Sequence, residues 1–353
     1  MRTPLAGPRR LVKLPAPCHP LPEGGEGVQF YKGKLIMRTR VSRRTFLAQT
    51  GAVAAAAAVP AFPRTGEATA SRPMRLGGPI FLNSEDPAEL AREHRRLGYR
   101  AAYAPKVELK DTDKIRAIIK GFAAQEVALA EVGAWVNMLD PDPEKRRKNM
   151  SYVQERLALA EELGTRCCVD IAGSYDPKVW YGPNPKNLSQ EFIDATVENC
   201  RKLIDAVKPT RTKFTIEMMP FNFPSGPDEY LKLIRGVDRK AFAVHLDVCN
   251  VMNSPERMYH NGDVIRECFR KLGPWIVSCH AKDLAWEDYV QVCLREVIPG
   301  RGQIDYKSYL SEIAKLPVDA PLMLEHLKTA EEYTEGREYI QGVARELGLS
   351  FGT

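Results

Sequence analysis

From residue 75 onward, apolar positions recur at two spacings. Runs of period two alternate with blocks in which apolar residues return every three or four positions, and short polar turns separate them. The first kind predicts strands over 75–83, 99–105, 127–135, 165–173, 213–220, 242–250, 276–283 and 320–327. The second predicts helices over 86–98, 111–125, 142–164, 189–209, 226–237, 263–273, 305–316 and 329–348. Eight strand–helix pairs in roughly 275 residues make an α/β chain of the length a (β/α)8 TIM barrel needs. Asp86-Pro87 and Asp142-Pro143 each set an N-cap before a first-turn proline, and Gly98, Gly164, Gly273 and Gly348 stand where a C′ glycine belongs. No G-x-G-x-x-G follows the first strand, which argues against an open doubly wound sheet.

In such barrels the C-terminal strand ends carry the chemistry. Side chains alternate between faces, so Thr215, Glu217 and Met219 share one face of the fifth strand. His245, Asp247 and Cys249 share one face of the sixth, and Ile276, Ser278, His280 and Lys282 one face of the seventh. On the eighth, Met323, Glu325 and Leu327 turn inward and His326 is expected to point toward the helices. Four consecutive strands thus bring ionisable groups to matching heights inside a barrel, where a charge must be paired or bound to a cation. Three carboxylates and one neutral imidazole form a hard, oxygen-rich set. Manganese is the expected divalent ion, with magnesium, cobalt, zinc and iron also fitting. With no thiolate in the set, a closed structural zinc site is not expected.

Composition adds little that is specific. The chain has 353 residues, 44% of them hydrophobic, so a sizeable core can form. Much of the +6 net charge lies before residue 45, which leaves no basic footprint for nucleic acid in the barrel. The eight cysteines include no C-x-x-C pair and read as free buried thiols. Near the N-terminus, S-R-R-x-F-L with Arg43-Arg44 precedes an Ala-rich run and Pro63, a pattern resembling a twin-arginine export signal. That predicts a periplasmic or extracytoplasmic address without stable membrane insertion. Met37 is then the expected start. The domain reading is 1–36 as an over-extended, disordered leader, 37–72 as signal and linker, and 73–353 as the catalytic barrel.

Glu on strand five, H-L-D on strand six, H-x-K-D on strand seven and Glu on strand eight together resemble the xylose isomerase-like TIM-barrel superfamily, in its sugar phosphate isomerase/epimerase branch. The segments 133–146 and 298–306 resemble that branch as well. The resemblance implies Glu217, Asp247, His280 and Glu325 as metal ligands, with Glu217 and Glu325 doubling as the acid/base pair of a sugar isomerase or epimerase. A proton would leave the carbon beside a carbonyl through a metal-stabilised enediolate. Asn250 stands where such epimerases carry a histidine, and it can bond a hydroxyl but cannot do acid/base work. The alternatives are a metal-dependent 3-keto-glycoside lyase or hydrolase acting by β-elimination, and a non-catalytic sugar-binding barrel.

Substrate contacts are expected from His245, Asn250, Lys282, Arg301, Trp180 and Asn137; His245 also reads as packing beside the metal ligands and donating to a carboxylate, or as a ligand itself. Lys282 reads either as a substrate contact or as an ion-pair partner of Asp283 or another carboxylate. Arg301 reads as an oxyanion or carboxylate holder or as a solvated loop charge, and Trp135 as a core residue or a sugar platform. The segments 174–188 and 284–303 are expected to form the rim. The partner is a small sugar or keto-glycoside, and a homo-oligomer fits the fold class. A multi-zinc nuclease would need more histidines than His94, His245, His260, His280 and His326 provide.

Overall fold

A computed structural model describes residues 73–352. The proposed export signal, the Met37 start and Cys18 lie outside the described residues. Eight parallel strands close into a barrel. In chain order its staves are β1 (Leu76–Gly77), β2 (Ala101–Tyr103), β3 (Ala128–Gly133), β4 (Cys167–Ile171), β5 (Lys213–Glu217), β6 (Phe242–Asp247), β7 (Ile276–Ala281) and β10 (Leu322–Leu324). Between the last two, β8 (Asp283–Trp286) and β9 (Leu294–Val297) form a separate antiparallel hairpin. Closure comes from β1, which pairs Leu76 with Leu322 on one side and Gly77 with Ala101 on the other.

Helices α1 (Pro87–Arg96), α2 (Thr112–Ala124), α3 (Pro143–Leu163), α4 (Gln190–Val207), α5 (Pro227–Val237), α6 (Pro255–Tyr259), α7 (Asn261–Leu272), α8 (Tyr306–Ile313) and α9 (Ala330–Glu346) follow the staves. Asp86 accepts from the Ala88 N–H, and Asp142 from those of Glu144 and Lys145, as their capping positions require. Gly98, Gly164 and Gly348 have positive φ. Gly273 does not. At φ −44° it continues into a short 3₁₀ turn, so its predicted role as a left-handed terminator is corrected.

Three further expectations change. The first strand is shorter than 75–83, because Gly78 and Pro79 follow β1 and proline offers no N–H to a ladder. The segment 284–303 is in part the β8–β9 hairpin. A short helix, α6, precedes α7; its signal was present in Ser254-Pro255, where the Ser254 hydroxyl accepts from the Arg257 N–H.

The main apolar core lies where the strands' outward side chains meet the helices, with Phe214, Val244, Leu157 and Leu203 among its members; Ile276 joins it too, because the register shift that pairs Val244 with Ile276 and His245 with Ser278 breaks the alternation expected on the seventh strand. Ala101, Ala130 and Met323 pack as a smaller cluster apart from it. Of the described cysteines six are buried and all are free; burial pushes the Cys168 thiol up, so it is an inert core group. Among the described residues no helix is long and apolar enough to cross a membrane.

Candidate metal centre

The ends of β5, β6, β7 and β10 converge as their alternation predicts. Register sets Asp247 beside His280 and Glu217 beside His245 across neighbouring strands. Helix tyrosines pin these strand ends: Tyr230 donates to the carbonyls of Ile216 and Ala243, Tyr309 to that of His280, and Tyr306 to that of Lys282. One ligand atom each from Glu217, Asp247, His280 and Glu325 falls within 4.8 Å of every other.

Each ligand is held from behind. Asp247 Oδ1 accepts from the N–H groups of Cys249 at 2.8 Å and Asn250 at 3.4 Å. Asn250 Nδ2 donates to Glu217 Oε1 at 2.9 Å, so this amide orients a carboxylate. His280 Nδ1 lies 2.7 Å from Glu325 Oε1 and 3.3 Å from Glu217 Oε1. Lys282 Nζ is 2.7 Å from both Asp247 Oδ2 and Glu325 Oε1, 3.6 Å from Glu296 and 4.0 Å from Glu217.

Carboxylates outnumber the cationic side chains in this cluster. Burial opposes charge on Lys282 and on His280. The surrounding carboxylates, Asp247 foremost for the lysine and Glu325 for the histidine, reverse that and hold both well above their usual ranges. Burial opposes the Glu325 carboxylate too, but His280 and Lys282 hold it below its ordinary value. Even so, Asp247 Oδ2 and Glu325 Oε1 are buried oxygens that accept no aligned hydrogen bond, although the ammonium is near each. Carboxylate oxygens that face one space and share a single ammonium without an aligned hydrogen bond, in a three-oxygen, one-nitrogen set, fit a hard divalent ion.

The other expected contacts divide. His245 lies behind the ligands, its Nε2 3.0 Å from Glu131 Oε1. Lys282 pairs with Asp247 and Glu325, not with Asp283. Arg301 lines a cavity of about 430 Å³ with Lys282, Glu296, Glu325 and His326, yet its guanidinium is paired with Glu335 at 2.6 and 2.7 Å. Trp180 is exposed on the 174–188 loop, edge-on to Tyr181, and does not line that cavity. Asn137 is buried; its amide joins Leu139 N, Ser174 N and the Ser174 carbonyl, which makes it a brace between two loops.

Two expectations about orientation are corrected. Trp135 is not a core residue. It is 38% exposed at φ 47°, with its ring 6.4 Å from that of His280, and a Cβ on Gly133 would strike its indole. His326 does not point to the helices. Its left-handed backbone breaks the strand alternation, and Nδ1 lies 2.9 Å from Glu296 Oε2.

Asp283 has a different task. Its carboxylate accepts from the N–H groups of Leu284, Gly300, Gly302 and Ile304 at 2.9–3.1 Å, which ties the loop after β9 to the end of β7. A Cβ on Gly302 would collide with that carboxylate. Asp283→Ala should therefore cost roughly 2–4 kcal/mol in urea unfolding, since four donors lose their acceptor; an unchanged midpoint would show that the loop is held otherwise.

Sequence patterning does not point to Glu131 or Glu296, and it places Ser278 on the inward face of its strand without a role. Glu131 was detectable as a lone carboxylate in the apolar run VALAEVGA. It is fully buried. Burial would raise its pKa, but His245 and His280 hold it well below the usual carboxylate range.

The model of one family, described as xylose isomerase-like TIM barrel, matches residues 89–343. The chain belongs to that family. No curated protein matches the sequence. Among solved structures, D-psicose 3-epimerase from Clostridium cellulolyticum H10 is 16% identical with TM-score 0.57, covering 79% of this chain and 100% of its own. A xylose isomerase-like TIM barrel protein from Mycobacterium smegmatis, in complex with magnesium, is 18% identical with TM-score 0.55, covering 77% and 97%. The 3-keto-D-glucoside 4-epimerase of E. coli is 13% identical with TM-score 0.54, covering 76% and 99%. At these identities the likeness is one of fold.

Proposed function

We propose that this xylose isomerase-like barrel is a divalent-metal-dependent isomerase or epimerase of a keto sugar. The observation that carries the reading is the convergence of Glu217, Asp247, His280 and Glu325 within 4.8 Å at the barrel mouth. A divalent ion held by these four would supply Lewis-acid polarisation of a substrate carbonyl. Glu217 and Glu325 approach the site from β5 and from the end of β10, with β6 and β7 between them. Their carboxylates thus address a sugar from two directions. In this reading Glu217 takes the proton from the carbon beside the carbonyl, and Glu325 returns one to the opposite face. Asn250 keeps Glu217 aimed, and Lys282 offers an ammonium to negative charge developing on substrate oxygen. Trp135, half exposed beside His280, offers an aromatic face to sugar C–H groups.

The test combines metal analysis with incubation in D₂O. The purified protein should hold about one divalent ion per chain and should place deuterium on the α-carbon of a ketose or 3-keto-glucoside with the carbon skeleton intact. Release of an aglycone would replace isomerisation by β-elimination at the same site. Absence of both metal and exchange would remove the enzymatic reading.

A further inference from the structure

Glu131 stands on β3, opposite β7 in the barrel, and its carboxylate collects three donors. Oε1 receives the Ser278 hydroxyl and lies 3.0 Å from His245 Nε2; Oε2 lies 3.3 Å from His280 Nε2. All four side chains are at most 1% exposed. The opposite nitrogen of His280, Nδ1, faces Glu325 and Glu217. The His245 ring meets that of His280 nearly edge-on, with centroids 4.1 Å apart and planes at 74°, and so blocks its rotation.

A neutral imidazole carries one proton and one lone pair, and the partner of one nitrogen decides which atom has which. Ser278 and His245 both use Oε1, so Oε2 of the same carboxylate remains to accept from His280 Nε2. We propose that Glu131 is a positioning residue: without an ion the His280 ring is cationic, and when a divalent ion replaces the proton on Nδ1, Glu131 keeps the remaining proton on Nε2 and so directs the Nδ1 lone pair at the space shared with Glu217, Asp247 and Glu325. This rests on the reading of those four side chains as a ligand set. Glu131, His245 and His280 also lie close enough together to suggest a second ion site. Separations of 3.0 Å at Oε1, which Ser278 shares, and 3.3 Å at Oε2 instead describe a carboxylate engaged in hydrogen bonds through both oxygens. A buried carboxylate behind a ligating histidine fixes ring orientation and raises ligand basicity.

The experiment uses the full chain, stripped with chelator and titrated with Mn²⁺ against a competing indicator. Glu131→Gln keeps the volume but turns an amide N–H toward one of the donors. It should weaken Mn²⁺ binding about 10–100-fold. A merely structural role would lower the apo melting temperature and leave the dissociation constant of the folded protein unchanged; that result overturns the proposal. A second measurement needs no variant. In ¹⁵N-histidine spectra of zinc-loaded wild type, His280 should carry its proton on Nε2, and a proton on Nδ1 overturns the proposal even where Glu131→Gln fails to fold. A wild type that binds neither ion removes the ligand reading itself. Tight wild-type binding with an unaltered Glu131→Gln variant removes only the role of Glu131.

Discussion

Glu217→Gln is expected to lower α-proton exchange by about 10³-fold or more while the barrel stays folded. The glutamine keeps an oxygen for the Asn250 amide, which now donates to Glu217 Oε1 at 2.9 Å, so the local geometry survives. What is lost is a base, whose typical contribution is about 10²–10⁴-fold, together with one charged metal ligand. Stability should hold within about 1 kcal/mol, because the change removes a buried negative charge from a site where carboxylates outnumber cations. Exchange in D₂O and urea unfolding on the same preparation check both halves. Near-normal exchange would remove Glu217 from the mechanism, and a large loss of stability would make it a structural residue first.

Lys282→Met should act in the opposite way, on the fold before the chemistry. The Lys282 ammonium is nearly buried and sits 2.7 Å from both Asp247 and Glu325. Removing it leaves Glu217, Asp247, Glu325 and Glu131 around the single cationic ring of His280. Breaking a buried pair from one side costs about 3–5 kcal/mol, chiefly through the uncompensated charge that remains. The metal-free variant should lose that much stability. Added Mn²⁺ should recover a large part of it, because an ion bound only by the folded chain stabilises that chain by mass action. Urea titrations with Mn²⁺ and with chelator read the difference. Equal losses in both conditions would mean that ammonium and metal do not share one electrostatic site.

How far the centre could be read from residue order follows from what strand alternation does and does not encode. Period two assigns faces, so Glu217, Asp247, His280 and Glu325 were legible as inward groups at the ends of successive strands. It says nothing about partners across the barrel. Glu131 is 114 residues from His245 and 149 from His280, and no spacing rule links them. Asp283 resembled the natural partner of its neighbour Lys282. Instead the chain turns into β8 at that point, and the carboxylate meets the backbone of residues 300–304. His326 defeated the alternation argument because the strand ends at Leu324 and residue 326 is already left-handed, so period two no longer assigns its face. Asn137 looked available as a polar residue past a strand end, but neighbouring loop amides use it.

The order of residues by itself determined the alternation of strands and helices, the helix caps at Asp86 and Asp142, and the arrival of three carboxylates and an imidazole at one end of the staves. These follow from local periodicity and from the cost of burying an unpaired charge. Closure of the sheet decided the rest. Pairing β1 with β10 sets the barrel's width, and that width brings Glu131 against two histidines and Lys282 between two carboxylates. Contacts across a closed cylinder depend on register and circumference, which are properties of all eight staves together and of no single segment.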